Sequence, residues 1–274
     1  MEKCRKPEFI EIEPTVHLHI RDWGIGKTIV FIPGWPLTHE MFEYQFIRLA
    51  EEGYRCIGIT QRGFGQSSEP WGDYNYDVFA DDIKKVLEVL NLSEVTLAGH
   101  SMGGAIALHF MARHNSERVA KLALFGAAAP CFTKRPGFPY GLEASSVDGF
   151  IAECSTDRTK LMESFGKIFF RSENEVSHKL ADWFSNMGME ASPQATAACL
   201  LALRNSDLRE DMAKVKIPTV IFHGKYDKIC PFHLGEALTD GIKGAKLIPF
   251  ENSGHGLFFE EKEKFNKELM KFIG

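Results

Sequence analysis

Residues Val95 to Leu108 run from an apolar strand straight through a G-x-S-x-G turn, Gly99-His100-Ser101-Met102-Gly103, and into a helix with no spacer. A chain that changes from strand to helix this abruptly must bend sharply, and the residue at the apex takes a backbone conformation that most positions avoid. Gly99, Gly103 and Gly104 remove the side chains that would block close packing around the bend or an approaching substrate. The residue at the apex is Ser101. A serine presented in this way has the layout of an activated nucleophile. The five-residue string alone carries little weight, and its strand and helix flanks give it meaning.

The rest of the chain supplies the sheet that such a turn needs. Phe9 to Ile12 and Val16 to Asp22 alternate as two strands, Thr28 to Ile32 reads as a buried strand, and Glu40 to Glu51 as an amphipathic helix. Tyr54 to Thr60 follows as a strand and Tyr76 to Leu90 as a helix, with Val78, Phe79, Ile83, Val86, Leu87 and Leu90 on one face. Met102 to His114 is the helix after the serine. Val119 to Phe125, Thr219 to His223 and Lys246 to Phe250 add three apolar strands, and Leu234 to Thr239 and Phe259 to Ile273 add helical segments. This alternation predicts an α/β fold with a mainly parallel eight-stranded sheet flanked by helices.

Between Phe125 and Lys216 the alternation lapses. Pro130-Cys131-Phe132 and a Pro136-Gly137-Phe138-Pro139 turn lead into helix-like text, where Leu161, Met162, Phe165, Ile168, Phe169, Leu180, Trp183 and Phe184 recur at helical spacing. We read residues 130–206 as a helical cap inserted into a core made of residues 1–129 and 207–274. Most of these apolar residues are expected to pack the cap onto the core and a minority to face a substrate pocket.

Charge excludes some classes of partner. The formal net charge is -5, with 32 basic and 37 acidic residues mixed along the chain, so no positive stripe is available for nucleic acid. Met1 to Pro7 is charged and leads into alternating residues, so neither a secretory signal nor a membrane span is expected and the chain reads as cytoplasmic. Six cysteines, at positions 4, 56, 131, 154, 199 and 230, are scattered without a C-x-x-C pair and read as reduced thiols.

A serine hydroxyl is a poor nucleophile until a base takes its proton, and the base must itself be oriented. The loop Asn252-Ser253-Gly254-His255-Gly256 follows the last strand and places an imidazole at the carboxyl edge of the sheet. The strand ending at His223 runs into Gly224-Lys225-Tyr226-Asp227, which puts an acid on the next loop. Asp207 and Asp211 are rivals for the acid, but both precede that strand. His223 is the rival base, yet it ends a buried strand beside Gly224 and reads as a hydrogen-bonded scaffold residue, while His100 packs beneath the turn. The order serine, acid, histidine is the one expected on an open α/β sheet.

With these motifs in place, the chain resembles the α/β-hydrolase family over nearly all its length except the cap. Gly99 to Gly103, His223-Gly224 through Asp227 to Pro231, Gly254-His255 and Arg62-Gly63-Phe64-Gly65-Gln66-Ser67 each match a family segment, and Pro33-Gly34-Trp35-Pro36 sits where an H-G-x motif supplies half of the oxyanion hole. Within the family, Gly34-Trp35-Pro36-Leu37, Arg62 to Gly65 and Asp211-Met212-Ala213-Lys214 look most like bacterial serine arylesterases and cofactor-free haloperoxidases. The resemblance implies a serine carboxylesterase acting on small to medium carboxylic esters through an acyl-enzyme on Ser101, with perhydrolase or lactonase turnover as a side activity. His255 would be the base, Asp227 its support, and the backbone amides of Trp35 and Met102 the oxyanion donors. One such donor is worth roughly 3 to 4 kcal/mol of barrier in a comparable site. The alternatives keep the same site: a carbon-carbon bond hydrolase or lyase, or a ligand receptor or signalling module.

Two positions depart from the family pattern. Pro33 replaces a histidine but leaves the Trp35 amide in place, and Thr60 replaces an acid before the R-G-x-G loop, removing a structural salt bridge. No cofactor is expected. His17 and His19 share a strand face, but no third ligand is near in sequence, so no metal is expected either. The Arg62 to Gly65 loop lacks the lysine and spacing of a phosphate cradle. Asp81 and Asp82 point apart on their helix and read as a solvated face.

Overall fold

The computed structural model describes residues 6–172 and 176–274, so Cys4 and the first residues of the expected core lie outside the described residues. Eight strands form one sheet: β1 (Phe9–Glu13), β2 (Val16–Gly24), β3 (Thr28–Ile32), β4 (Arg55–Ile59), β5 (Val95–His100), β6 (Val119–Phe125), β7 (Thr219–Gly224) and β8 (Lys246–Phe250), in the order β1-β2-β4-β3-β5-β6-β7-β8. β1 and β2 are antiparallel to each other, β2 is antiparallel to β4, and β3 to β8 pair in parallel. The strands around the centre read as unbroken apolar runs because helices cover both faces. β5 is buried at every residue, and Phe31, Leu97, Leu122 and Ile221 are solvent-free.

The helices are α1 (Glu43–Glu51), α2 (Tyr76–Val89), α3 (Met102–Arg113), α4 (Ala144–Thr156), α5 (Arg158–Phe169), α6 (His178–Met189), α7 (Pro193–Asn205), α8 (Arg209–Met212), α9 (His233–Gly241), α10 (Leu257–Glu260) and α11 (Lys262–Ile273). α3 directly follows the serine turn and is buried nearly all round, which is why its sequence is apolar without a polar stripe. α2 starts where Asn75 accepts a hydrogen bond from Val78 N at 3.0 Å, and α7 where Ser192 caps Ala195 N ahead of Pro193.

Three expectations change in detail. The segment Glu40 to Glu51 divides into a 3₁₀ turn, His39–Phe42, and α1, because the Thr60 hydroxyl holds His39 at both its backbone N–H and its ring. Phe259 to Ile273 divides into α10 and α11 at Glu261, whose carboxylate turns back to accept from Asn252 N (3.0 Å) and Ser253 Oγ (2.7 Å). Among the described residues, the stretch 130–206 holds four helices, α4 to α7, and the apolar residues at helical spacing, Leu161 to Phe184, fall on only α5 and α6. α4 mixes Ala, Ser and Gly with few large apolar residues and buries only Val147 and Cys154, so it carries almost no helical stripe.

Asp82 is a correction. It lies buried in α2 and takes two hydrogen bonds from Arg62, at 2.6 and 2.7 Å, so it does not belong to a solvated face. Burial pushes its carboxyl up to about 6 against the opposing pull of Arg62. This pair, with Glu13 2.8 Å from Arg62, anchors the Arg62 to Ser67 loop, the role the family pattern gives to an acid at position 60.

Candidate active site

Ser101 stands between β5 and α3 with φ 53° and ψ -121°, a backbone region that costs a non-glycine residue about 1–3 kcal/mol and persists only where the surroundings impose it. The surroundings do so through backbone hydrogen bonds. Ser101 N donates to Phe125 O (2.9 Å), and Ser101 O accepts from Gly104, Ala105 and Ala128 at 3.0 to 3.1 Å. The glycines are required by close approach: a Cβ on Gly99 would stand 2.3 Å from Gly103 O, and one on Gly103 would stand 2.4 Å from the carbonyl oxygens of Ile32 and Pro33.

Asp227, on the loop after β7, and His255, on the loop after β8, meet in a 2.7 Å hydrogen bond between His255 Nδ1 and Asp227 Oδ2, with both side chains wholly buried. The other carboxylate oxygen accepts from the backbone N–H groups of Ile229 (2.9 Å) and Cys230 (2.8 Å). The acid is therefore oriented before it touches the imidazole. With Nδ1 donating, His255 Nε2 keeps its lone pair, and that atom is buried without a hydrogen-bond partner. Gly126, at φ +46°, faces this pair: a Cβ there would stand 3.2 Å from Asp227 Oδ2 and 3.3 Å from His255 Nδ1.

The histidine loop is held from both sides. Glu260 Oε2 accepts from Gly254 N (2.8 Å) and Glu261 from Asn252 and Ser253. Below, His100 Nε2 donates to His255 O at 2.9 Å with ring centroids 4.5 Å apart, and burial holds His100 well below the usual imidazole value and therefore neutral. His100 thus couples the residue beside Ser101 to the backbone of His255. Its Nδ1 and the Ser101 Cβ would each stand 2.8 Å from a Cβ on Gly34, so the Gly34-Trp35 turn is packed directly onto the serine. Met102 is the first residue of α3, where the backbone N–H has no acceptor within the helix.

Ser101 and Trp35 border a partly open cavity of ≈ 230 Å³, walled by Phe132, Phe150, Leu161, Phe165, Leu200 and their neighbours, with Lys228 the one charged residue in its lining among the described residues. Of the aromatic and apolar residues flagged between 161 and 184, Leu161, Phe165 and Ile168 reach this cavity. Met162, Phe169 and Phe184 instead pack beside it, Phe169 setting its ring edge-on to His255 at 5.3 Å. Trp35 lends its ring to the cavity and anchors its Nε1 to Thr196 O of α7 at 3.0 Å.

The rivals lie elsewhere. Asp207 binds Arg209, Asp211 binds His109 at 2.7 Å, and His223 Nε2 donates to Cys230 O at 2.7 Å, a scaffold contact beneath the acid. Sequence reasoning did not single out Gly126, Glu260 or Glu261. Two carboxylates opening a charged C-terminal helix read as surface, and only the fold of the 252–256 loop shows what they hold.

A family model described as alpha/beta hydrolase fold matches residues 27–262. The AB hydrolase superfamily protein YisY of Bacillus subtilis (strain 168) is 49% identical over 264 residues, covering 96% of this chain and 98% of that protein. The non-heme chloroperoxidase CPO-A1 of Kitasatospora aureofaciens is 33% identical, covering 94% and 96%. The crystal structure of an esterase from Exiguobacterium antarcticum superposes with a TM-score of 0.95 at 42% identity, covering 98% of this chain and 99% of that one.

Proposed function

Because this chain belongs to the alpha/beta hydrolase fold family, we propose that it is a serine carboxylesterase that cleaves small to medium carboxylic esters through an acyl-enzyme on Ser101. In this reading Ser101 Oγ attacks the ester carbonyl carbon while His255 Nε2 takes the hydroxyl proton. Asp227 fixes the imidazole tautomer and supports the charge it gains. The amides of Trp35 and Met102 receive the oxyanion. Collapse breaks the bond to the alcohol, which leaves with the proton from His255. Water then adds by the same route and releases the acid and the free serine.

The observations that carry the reading are the buried Asp227–His255 hydrogen bond, which leaves His255 Nε2 without a partner, and a strained serine that borders an apolar cavity. That cavity favours an apolar acyl or alcohol group over a charged one. Residues 130–206 act in this reading as a cap over the core formed by 1–129 and 207–274, and Phe165 and Leu161 set the room available to the substrate. The test is hydrolysis of 4-nitrophenyl butyrate by the intact protein and by Ser101→Ala, with mass spectrometry after treatment with an alkyl phosphonate. Turnover and a covalent adduct in the parent, both absent in the variant, are expected. Undiminished turnover in Ser101→Ala overturns the assignment.

A further inference from the structure

On the side of the Gly34-Trp35 turn away from the cavity, three side chains with metal-ligand chemistry converge. His19 projects from β2, and His39 and Glu40 open the 3₁₀ turn. Glu40 Oε1 lies 3.9 Å from His19 Nδ1 and 3.7 Å from His39 Nε2, and one ligand atom from each residue lies within 4.8 Å of the others. These separations are too long for hydrogen bonds. His39 is 1% exposed, and its Nε2 and Glu40 Oε2 are buried without partners. Leaving buried polar atoms unpaired is unfavourable, so the arrangement needs an occupant at its centre.

We propose that His19 Nδ1, His39 Nε2 and the Glu40 carboxylate bind one divalent transition-metal ion of the zinc type. Two imidazoles and a carboxylate are the donor set of such borderline ions, while calcium and magnesium take oxygen ligands. Around an ion with bonds of 2.0–2.1 Å at tetrahedral angles, ligand atoms stand about 3.4 Å apart; the two imidazole–carboxylate separations, 3.9 and 3.7 Å, exceed this by a few tenths of an ångström, and the two imidazole nitrogens, within 4.8 Å, make the larger movement. Glu40 is the partly exposed member and provides the route of entry and the freedom to close. Arg21 lies near enough to oppose the ion and Glu8 near enough to favour it.

The support behind the ligands is built in. His39 Nδ1 lies 2.7 Å from Thr60 Oγ1, which also accepts from His39 N at 3.2 Å. With Nδ1–H donating to the threonine oxygen, Nε2 presents its lone pair toward Glu40. The contact comes from Thr60, the position at which the chain departs from the family pattern. Gly58 keeps the ring in place, since a Cβ there would stand 2.6 Å from His39 Cβ. His17, on the same strand as His19, is exposed, and the side chains beside His19 come instead from the turn. A bound ion would tie β2 to the turn that follows Trp35 and stiffen that segment. The proposal stands independently of the esterase reading.

Metal-stripped, untagged full-length protein is titrated with Zn²⁺ by calorimetry and with Co²⁺ by visible absorption, beside His19→Gln and Glu40→Gln with folding checked by circular dichroism. One Zn²⁺ per chain is expected, with affinity reduced about tenfold or more in each variant. A zinc-dependent rise in melting temperature in the parent should vanish in both. Co²⁺ in the unsubstituted protein should give a nitrogen and oxygen ligand spectrum, which keeps the test valid if a variant fails to fold. Absence of binding, equal affinity in folded variants, or a thiolate charge-transfer band that assigns the ion to cysteine overturns the proposal.

Discussion

The loops at the carboxyl edge of the sheet and the helices α4, α5 and α7 meet around one cavity, but they are held by different forces. At the sheet edge nearly every contributing atom is fixed by a directed hydrogen bond: Ser101 by Phe125, Asp227 by Ile229 and Cys230, His255 by Asp227 and His100, and its loop by Glu260 and Glu261. The inserted helices reach the same space mainly with rings and aliphatic chains, such as Phe165 edge-on to Trp35 at 5.2 Å and Phe169 against His255. Their polar ties to the core include Ser192 N to Gly63 O, Gly256 N to Phe169 O, Arg171 N to Glu260, Trp35 Nε1 to Thr196 O and Thr38 Oγ1 to Met187 Sδ. Hydrogen bonds fix an atom in direction as well as distance, whereas apolar packing fixes volume and tolerates exchange. The sheet edge is therefore fixed in direction as well as distance, and the helices are fixed mainly in volume.

If that division is right, the sheet edge should fail steeply when touched. Ser101→Ala should lower kcat for a nitrophenyl ester by about 10⁴-fold or more with circular dichroism unchanged, since groups acting as one catalytic unit are lost together. A retained rate would break the comparison at its base. Gly126→Ala is a finer probe, because it touches neither substrate nor nucleophile. Its Cβ would crowd the Asp227–His255 bond, and its positive φ adds strain. We expect kcat to fall about 10²-fold with KM nearly constant and the pH profile of kcat displaced, as expected when a base is misplaced by a fraction of an ångström. A change confined to KM would place the effect in the cavity.

The same division explains what the sequence made legible. The serine turn, Asp227 and His255 were readable because their chemistry is local: a glycine-flanked turn, or a loop directly after an apolar strand. Trp35 and Met102 followed from resemblance alone; Trp35 borders the same cavity as Ser101, and Met102 is the residue that follows it. The support was not readable. Asp82 holds Arg62 across 20 positions, and Glu260 and Glu261 reach back to a loop that only the finished fold brings near. His19 finds His39 and Glu40 only because β2 pairs with β4, whose end carries Thr60. α4 was missed because it buries little and so leaves no periodic trace.

On the helical side, substitutions should shift preference more than rate. Ile168 borders the cavity and is only partly buried, so Ile168→Phe should fold normally and reduce the space. The ratio of kcat/KM for hexanoate over acetate esters should drop about tenfold, since filling a pocket by a methylene or two is worth about 1–3 kcal/mol. An equal loss on both esters would show that the helices also orient the catalytic groups, and would blur the distinction drawn above.

The smallest effect tests where the inserted helices rejoin the core. There His109 of α3 bridges Asp211 of α8 and Asp77 of α2, both at 2.7 Å, and its hydrogen bond to the Asp211 carboxylate, the largest influence, raises its pKa against the effect of burial. A raised histidine pKa stabilises the fold fully below the unfolded value near 6.5, and this stabilisation is lost as pH rises through the folded value. His109→Gln should therefore lower the melting temperature at pH 6 by no more than a few degrees, because the bridge is partly exposed, and the gap from the parent should close by pH 9. Ester turnover at 25 °C should be unaffected, since this junction lies on the hydrogen-bonded side, where the site has its own supports. A loss of turnover that follows the same pH curve would mean that the junction transmits strain to Ser101 through α3, making the two regions one mechanical unit.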